Sequence, residues 1–221
     1  MAALCEASIQ VLLAVGYRRL TTTRVAERAG VSVGTLYQYF QNRESLITLV
    51  IERYLNEFGS LVEQKCQALI GRPLDHAVTG LVNALIESKW KRIEVARALH
   101  EPLGEVNGAK LVTRFAGKAT RLVVEILKAC PDVRIRDVEV GAQFIVLACS
   151  SLLQAALTDN TGTLDTKKLG AHMRSMVLGY LRERMRPDGK TKSSSIGRGR
   201  AAGRRTIVGV RQRTDERTSR G

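Results

Sequence analysis

The sequence predicts an all-α protein of about nine helices that ends in a basic tail. Apolar residues recur at three- and four-residue steps from Leu4 to Leu181. Glycine and proline punctuate that period at Gly16, Gly30, Gly71-Arg72-Pro73 and Pro131, and neither a strand-like alternation nor an internal repeat stands out. Four prolines, 5% aromatic residues and long alanine- and leucine-rich periods lean the same way.

The elements follow in order. Leu4, Ile9, Val11, Leu12 and Val15 form the stripe of a first helix, which Gly16 stops; Tyr17 and Leu20 cover the corner. Thr21 or Thr22 caps a short second helix running to Ala29. Arg24 stands where an acidic residue would complete a capping box with Thr21, which leaves Thr22 a credible cap. Gly30-Val31 turns the chain, and Ser32 caps a third helix ending near Phe40. Asn42 caps a long fourth helix with Glu44 in its first turn, where the helix dipole favours an anion, and with Leu46, Val50, Tyr54, Phe58 and Leu61 as its stripe.

Beyond the Gly71-Arg72-Pro73 break, a helix from about Leu74 to Trp90 turns Leu81, Leu85 and Trp90 inward. A shorter one covers about Ile93 to His100 and stops before Pro102, with a loop at Gly104 and Asn107-Gly108. The next runs from about Lys110 to Cys130 on Leu111, Phe115, Leu122, Ile126 and Leu127. The last two span about Ile135 to Leu157 and about Asp165 to Arg184. Val140, Phe144, Leu147, Ser151 and Ala155 mark the first; Leu169, Met173, Met176, Val177, Tyr180 and Leu181 mark the second. The short linker from Thr158 to Gly162 predicts an antiparallel hairpin. The chain thus divides into residues 1–45, 46–186 and 187–221. The last part holds too few large apolar residues to offset its ordering entropy and is expected to be disordered.

The net charge of +14 favours an anionic partner, but its distribution weakens that argument. Residues 187–221 carry ten Lys and Arg against three Asp and Glu, half of the whole excess, whereas residues 1–45 carry five against three. Any nucleic-acid reading of the N-terminal part must therefore rest on its motif. Cys5, Cys66, Cys130 and Cys149 are far apart, and reduced, partly buried thiols are the expectation. The apolar runs look too short to span a bilayer, and the N-terminus lacks a basic region followed by an apolar core, so a soluble cytoplasmic protein is expected. His76, His100 and His172 have no ligand-spaced partner, and no Walker loop or nucleophile elbow is present. Neither an enzyme nor a cofactor or metal protein is expected.

The stretch Thr22 to Phe40 carries the most information. Counted from Thr22, Ala26 is fifth, Gly30 ninth and Leu36 fifteenth. Ala26 lets two helices approach, Gly30 takes the left-handed conformation that ends the first of them, and Leu36 plugs the gap between them. Those are the requirements of a helix-turn-helix. Its second helix presents its N-terminal turn to base edges in the major groove. Ser32, Val33, Gly34 and Thr35 occupy that turn, and Gln38 lies one turn on. Gln38 suits an adenine edge, while Val33 and the Thr35 methyl suit thymine methyls. Tyr37 and Tyr39 flank Gln38 with hydroxyls for phosphate. Thr21, Thr22 and Thr23 sit at a helix N-terminus that also binds phosphate, and Arg43 adds a charge at the same backbone.

These residues resemble the TetR family of one-component transcriptional regulators. The likeness covers residues 4 to about 50: the first helix ending in Gly16-Tyr17, Thr21-Thr22, Val25-Ala26, Ala29-Gly30-Val31-Ser32, Gly34-Thr35-Leu36-Tyr37, Tyr39-Phe40 and Asn42-Arg43-Glu44. Later helices resemble that family in number, length and order. One departure is the basic arm that members usually carry before the first helix, since Met1 here falls almost inside that helix. The resemblance implies a homodimer on a pseudo-palindromic double-stranded DNA operator, released by a small-molecule effector. It implies an effector cavity in residues 46–186, for which Trp90, His100, Phe115, Phe144 and Met173 are candidate lining residues that would serve equally as core. It implies pairing of the last two helices with a symmetry mate as a four-helix bundle, using the small residues Ala142, Ala148, Ser151 and Ala155. The alternative is a mainly architectural nucleic-acid-binding protein driven by the basic tail.

Overall fold

The computed structural model describes residues 1–106, 108–159 and 165–185; the tail expected to be disordered and most of the Thr158–Gly162 linker lie outside them. Among the described residues the chain forms α1 (Ala2–Val15), α2 (Thr22–Ala29), α3 (Val33–Tyr39), α4 (Arg43–Cys66), α5 (Leu74–Trp90), α6 (Ile93–Ala98), α7 (His100–Glu105), α8 (Gly108–Lys128), α9 (Val138–Thr158) and α10 (Thr166–Arg182). The all-α expectation holds, with one helix more than the periodicity suggests.

That additional helix is α7, which crosses Pro102 and Gly104 where a loop was expected. Pro102 falls in the first turn, where the missing N–H has no intrahelical carbonyl to reach, so the ring is tolerated. At the other end, α9 starts at Val138 rather than near Ile135. Ile135 pairs instead with Met185 in an isolated antiparallel bridge, and the Arg136 N–H donates to the Arg184 carbonyl at 2.9 Å.

Two apolar clusters fill the interior of the unit Met1–Pro187. One lies among α4, α5, α8, α9 and α10, with α8 along α9, α4 against α5 and α8, and α10 against α5 and α9. Met173, Leu181 and Ile126 are at its centre. The other gathers Leu12, Leu20, Val25, Leu36, Phe40 and Leu46 under the first three helices and continues into Val95, Leu99, Val106, Leu111 and Leu157. The interior beneath the N-terminal helices is therefore not closed by residues 1–45.

All four cysteines are free and buried. Burial pushes the Cys66 thiol up to about 11 and that of Cys149 to about 12, so both stay protonated and unreactive at neutral pH. Against the expectation of short apolar runs, α9 is long and apolar enough to cross a membrane by length and composition, with a mean hydropathy of 1.8. Its Ala, Gly and Cys residues sustain the run between larger side chains. One face of α9 packs into the core through Ala142, Ile145, Cys149 and Leu153.

Candidate nucleic-acid interface and effector cavity

The helix-turn-helix is built from local signals. Thr21 is the N-cap of α2: its Oγ1 accepts the Arg24 N–H at 3.3 Å. Of the two threonines open as caps from the sequence, Thr21 takes the role although Arg24 is not acidic. The cap needs only the Arg24 amide, and the guanidinium folds away to donate to the Arg19 carbonyl at 2.6 Å. At the turn, Gly30 has φ 69° and ψ 31°, left-handed geometry that L side chains adopt at a cost, and the Val31 N–H reaches back to the Ala26 carbonyl at 3.0 Å. Ser32 caps α3, its Oγ accepting the Thr35 N–H at 3.0 Å and pairing with Thr35 Oγ1 at 2.9 Å. Leu36 is fully buried against Val25 and Ala26 in the same cluster.

With Leu36 and Phe40 facing inward, Gly34, Tyr37, Gln38 and Tyr39 remain exposed. Tyr37 Oη and Thr22 Oγ1 are 3.2 Å apart, so the start of α2 and the outer face of α3 share one hydroxyl surface that also includes the exposed Thr21, Thr23 and Ser32. Val33 is half-buried against the inner cluster, which leaves less of it for a base than expected. Arg43 departs further. Its guanidinium lies 4.6 Å above the Tyr17 ring, donates to Tyr17 Oη at 3.4 Å and is within 4.0 Å of Glu105. It is engaged with the protein rather than held out with the hydroxyls.

Asn42 begins α4 with a reciprocal box: Oδ1 accepts the Ser45 N–H at 2.7 Å, and the Asn42 N–H donates to Ser45 Oγ at 3.3 Å. The Asn42→Ala variant should lose about 1 kcal/mol. Its thermal midpoint should fall by about 3 °C in a circular-dichroism melt.

α4 runs on to a second feature, an apolar cavity of about 170 Å³ among α4, α5, α8 and α9, bordered by Leu103 of α7. Of the five residues proposed from sequence to line it, Phe115 does. Trp90 packs half-buried against the neighbouring core, and Met173 is wholly inside that core. Phe144 stacks on Tyr180 on the outer surface, ring centroids 5.0 Å apart. His100 is exposed and hydrogen-bonded through Nδ1 to Gln154, and Gln154 itself borders the cavity. The periodic pattern places a side chain on an apolar stripe but does not say which neighbour it meets.

Sequence reasoning missed Lys89. It lines the cavity with its Nζ 5.3 Å from the Tyr54 ring centre and 5.2 Å from that of Phe58. Burial lowers its ammonium to about 8. The signal was present: Leu81, Leu85 and Lys89 follow one another at four-residue steps, so the lysine continues an inward-facing stripe. Nearby, the Tyr54 hydroxyl and Ser88 Oγ are buried without a hydrogen-bond partner among the described residues. Burial pushes the Tyr54 phenol up to about 12.

Comparison with known proteins agrees with both halves of this arrangement. Residues 4–50 match the family of bacterial regulatory proteins, tetR family, and residues 73–181 match the tetracyclin repressor-like C-terminal domain. The uncharacterized HTH-type transcriptional regulator YvkB of Bacillus subtilis is 29% identical over 123 residues, covering 56% of this chain and 63% of that protein, a little under two thirds of its length. The HTH-type transcriptional regulator BetI of Escherichia coli K12 is 25% identical over 194 residues, covering 80% of this chain and 92% of that protein. Among solved structures, a TetR-family transcriptional regulator from Mesorhizobium loti superposes with a TM-score of 0.65 at 15% identity, over 83% of this chain and 96% of its own. The fatty acid degradation regulator FadR from Bacillus halodurans gives 0.57 at 17% identity, over 80% and 97%. With an N-terminal helix-turn-helix and a C-terminal helical domain that both match it, the chain belongs to the TetR family of DNA-binding transcriptional regulators.

Proposed function

We propose that the protein is a ligand-released repressor that binds a pseudo-palindromic operator as a homodimer. The observation that carries the DNA-reading part is the exposed hydroxyl surface joining Thr22 and Tyr37 around the N-terminal turn of α3. Thr21, Thr22, Thr23, Tyr37 and Tyr39 hold phosphates, while Ser32, Val33, Thr35 and Gln38 meet base edges. At Gly34 an added Cβ would meet, among the described residues, only Ser32 Oγ, at 3.7 Å, so packing does not demand glycine there. Its bare backbone instead leaves room for close approach to DNA. Arg43 joins the phosphate contacts only on leaving Tyr17 and Glu105.

Val140, Phe144 and Leu147 of α9, with Met176 of α10, form an exposed apolar stripe, continued by the exposed Ser151 and Ala155. That stripe is the dimer face in this reading, with Ala148 half-buried beside it; Ala142 is wholly buried in the core and takes no part. Two-fold pairing sets the α3 helices about 34–36 Å apart, or a multiple of that, to match successive major grooves.

Effector and DNA communicate through α4 and α7. α4 carries Arg43 at one end and Leu55, Phe58 and Val62 at the cavity. In α7, Leu103 borders the cavity, while Glu101 holds Arg18 at 2.9 Å and Glu105 approaches Arg43 at 4.0 Å. These exposed ion pairs add little energy by themselves. They tie the position of α7 to that of the head, and a ligand displacing Leu103 changes both.

Operator DNA recovered by sequencing genomic fragments bound to the purified protein provides the probe. In fluorescence anisotropy, Thr35→Ala and Tyr37→Phe should each weaken binding about tenfold while the dimer persists in sedimentation. Wild-type affinity in both variants would remove α3 as the recognition helix.

A further inference from the structure

The cavity beside Lys89 carries a specific chemical demand. Among the described residues, Lys89 makes two ring contacts and no ion pair or hydrogen bond. Its surroundings are apolar: Phe58 from α4, Leu81 and Leu85 from α5, Phe115 from α8, and Ile145 and Leu153 from α9. The other polar groups at the wall are neutral, Ser150 and Gln154. A half-buried ammonium set among apolar side chains without a counter-charge is costly, and an anion entering the same apolar space offsets that cost through a charge-assisted hydrogen bond.

We infer that this cavity binds a small organic monocarboxylate, with its carboxylate at the Lys89 ammonium and its apolar body among Leu81, Phe115, Ile145 and Leu153. The inference rests on the reading of the cavity as the effector site and names the class of effector.

The single cation selects against other anions and against zwitterions. A phosphate monoester brings nearly two charges and three strong acceptors, more than one ammonium and two neutral groups satisfy. An amino acid brings an ammonium for which the cavity wall supplies no carboxylate. Size narrows the class further. A volume of about 170 Å³ is close to that of an engineered cavity of about 150 Å³ that binds benzene, so one ring or a short alkyl chain fits.

An outer cleft of about 430 Å³ adjoins the cavity and shares Phe58, Leu85, Phe115, Ala119 and Leu122 with it. Phe58 and Phe115, ring centroids 6.3 Å apart, form the common wall. The Phe115 ring lies so close to Gly59 that a Cβ there would clash with it. Gly59 therefore lets the ring seat against α4.

The test uses the full-length protein and calorimetric titration with phenylacetate and hexanoate, each against its neutral amide. Each carboxylate should bind at least about tenfold more tightly than the amide. Lys89→Met should erase that preference and keep the wild-type thermal midpoint or raise it, since the methionine removes a charge from an apolar wall. Ala119→Phe, which fills the space, should abolish binding of both compounds. Equal binding of acid and amide to the wild type, a preference that survives in Lys89→Met, carboxylate binding that survives in Ala119→Phe, or no carboxylate binding at all would each overturn the assignment. Adding the operator separates the two readings. If carboxylates bind with Lys89-dependent preference and leave the DNA complex intact, the cavity assignment stands and ligand-released repression falls.

Discussion

Replacing Phe144 and Leu147 together by Glu is expected to give a folded monomer that has lost operator binding by at least about a hundredfold. Both side chains are more than half exposed, at 58% and 53%, so neither substitution opens a hole in the core. In a two-fold interface each stripe meets its own copy, and four added carboxylates would be brought together across the axis. A single head then reads one half-site, and the affinity gained by tethering two half-site contacts disappears. Sedimentation velocity and anisotropy on the recovered operator measure the two effects. A double variant that stays dimeric places the interface elsewhere.

The second large effect is expected from Leu36→Ala, which should destabilise the protein by about 3 kcal/mol. Leu36 has no exposed surface and fills the angle between α2 and α3, with Val25, Ala26, Phe40 and Leu46 in the same cluster. Truncation leaves a cavity where backbone and aliphatic neighbours are already fixed, so little collapse is available to relieve it. Denaturant unfolding should show the loss. Operator affinity should drop alongside it, because α3 loses the anchor that sets its angle to the groove. Unchanged stability would mean that Leu36 is not the plug of this corner.

The head was readable from sequence because its determinants act over a few residues. A left-handed Gly30, the Ser32 cap three residues before Thr35 and the Asn42 cap three residues before Ser45 are each fixed within one turn of chain. Between Thr21 and Thr22 the sequence left the cap open, because Arg24 breaks the reciprocal box while the single bond from its amide to Thr21 leaves no mark in residue type. Distant pairings left no such mark. The N-terminus of α5 follows Pro73, which has no side-chain cap to offer, and the Leu74 N–H donates instead to the Asp132 carboxylate, 58 residues away. Phe144 and Met173 looked alike as members of apolar stripes, but α9 has two apolar faces, and Phe144 lies on the outer one. Lys89 went unnoticed, although its four-residue steps from Leu81 and Leu85 put it on the inward-facing side of α5.

The cluster beneath the DNA-reading helices also bears on how such regulators diversify. Leu99, Val106, Leu111 and Leu157 are buried in the same interior as Leu36 and Leu46. A recombination breakpoint after residue 45 would join a foreign head to half of a packed interior shaped for another. Exchange of DNA specificity by transplanting the first three helices therefore carries a packing mismatch into the hybrid, whereas changes at Ser32 and Gln38, exposed positions proposed to meet base edges, do not. If α3 reads the operator as proposed, new operators are more accessible to this chain by point substitution on α3 than by exchange of the whole head, because the helices around α7 are packed to the head they support.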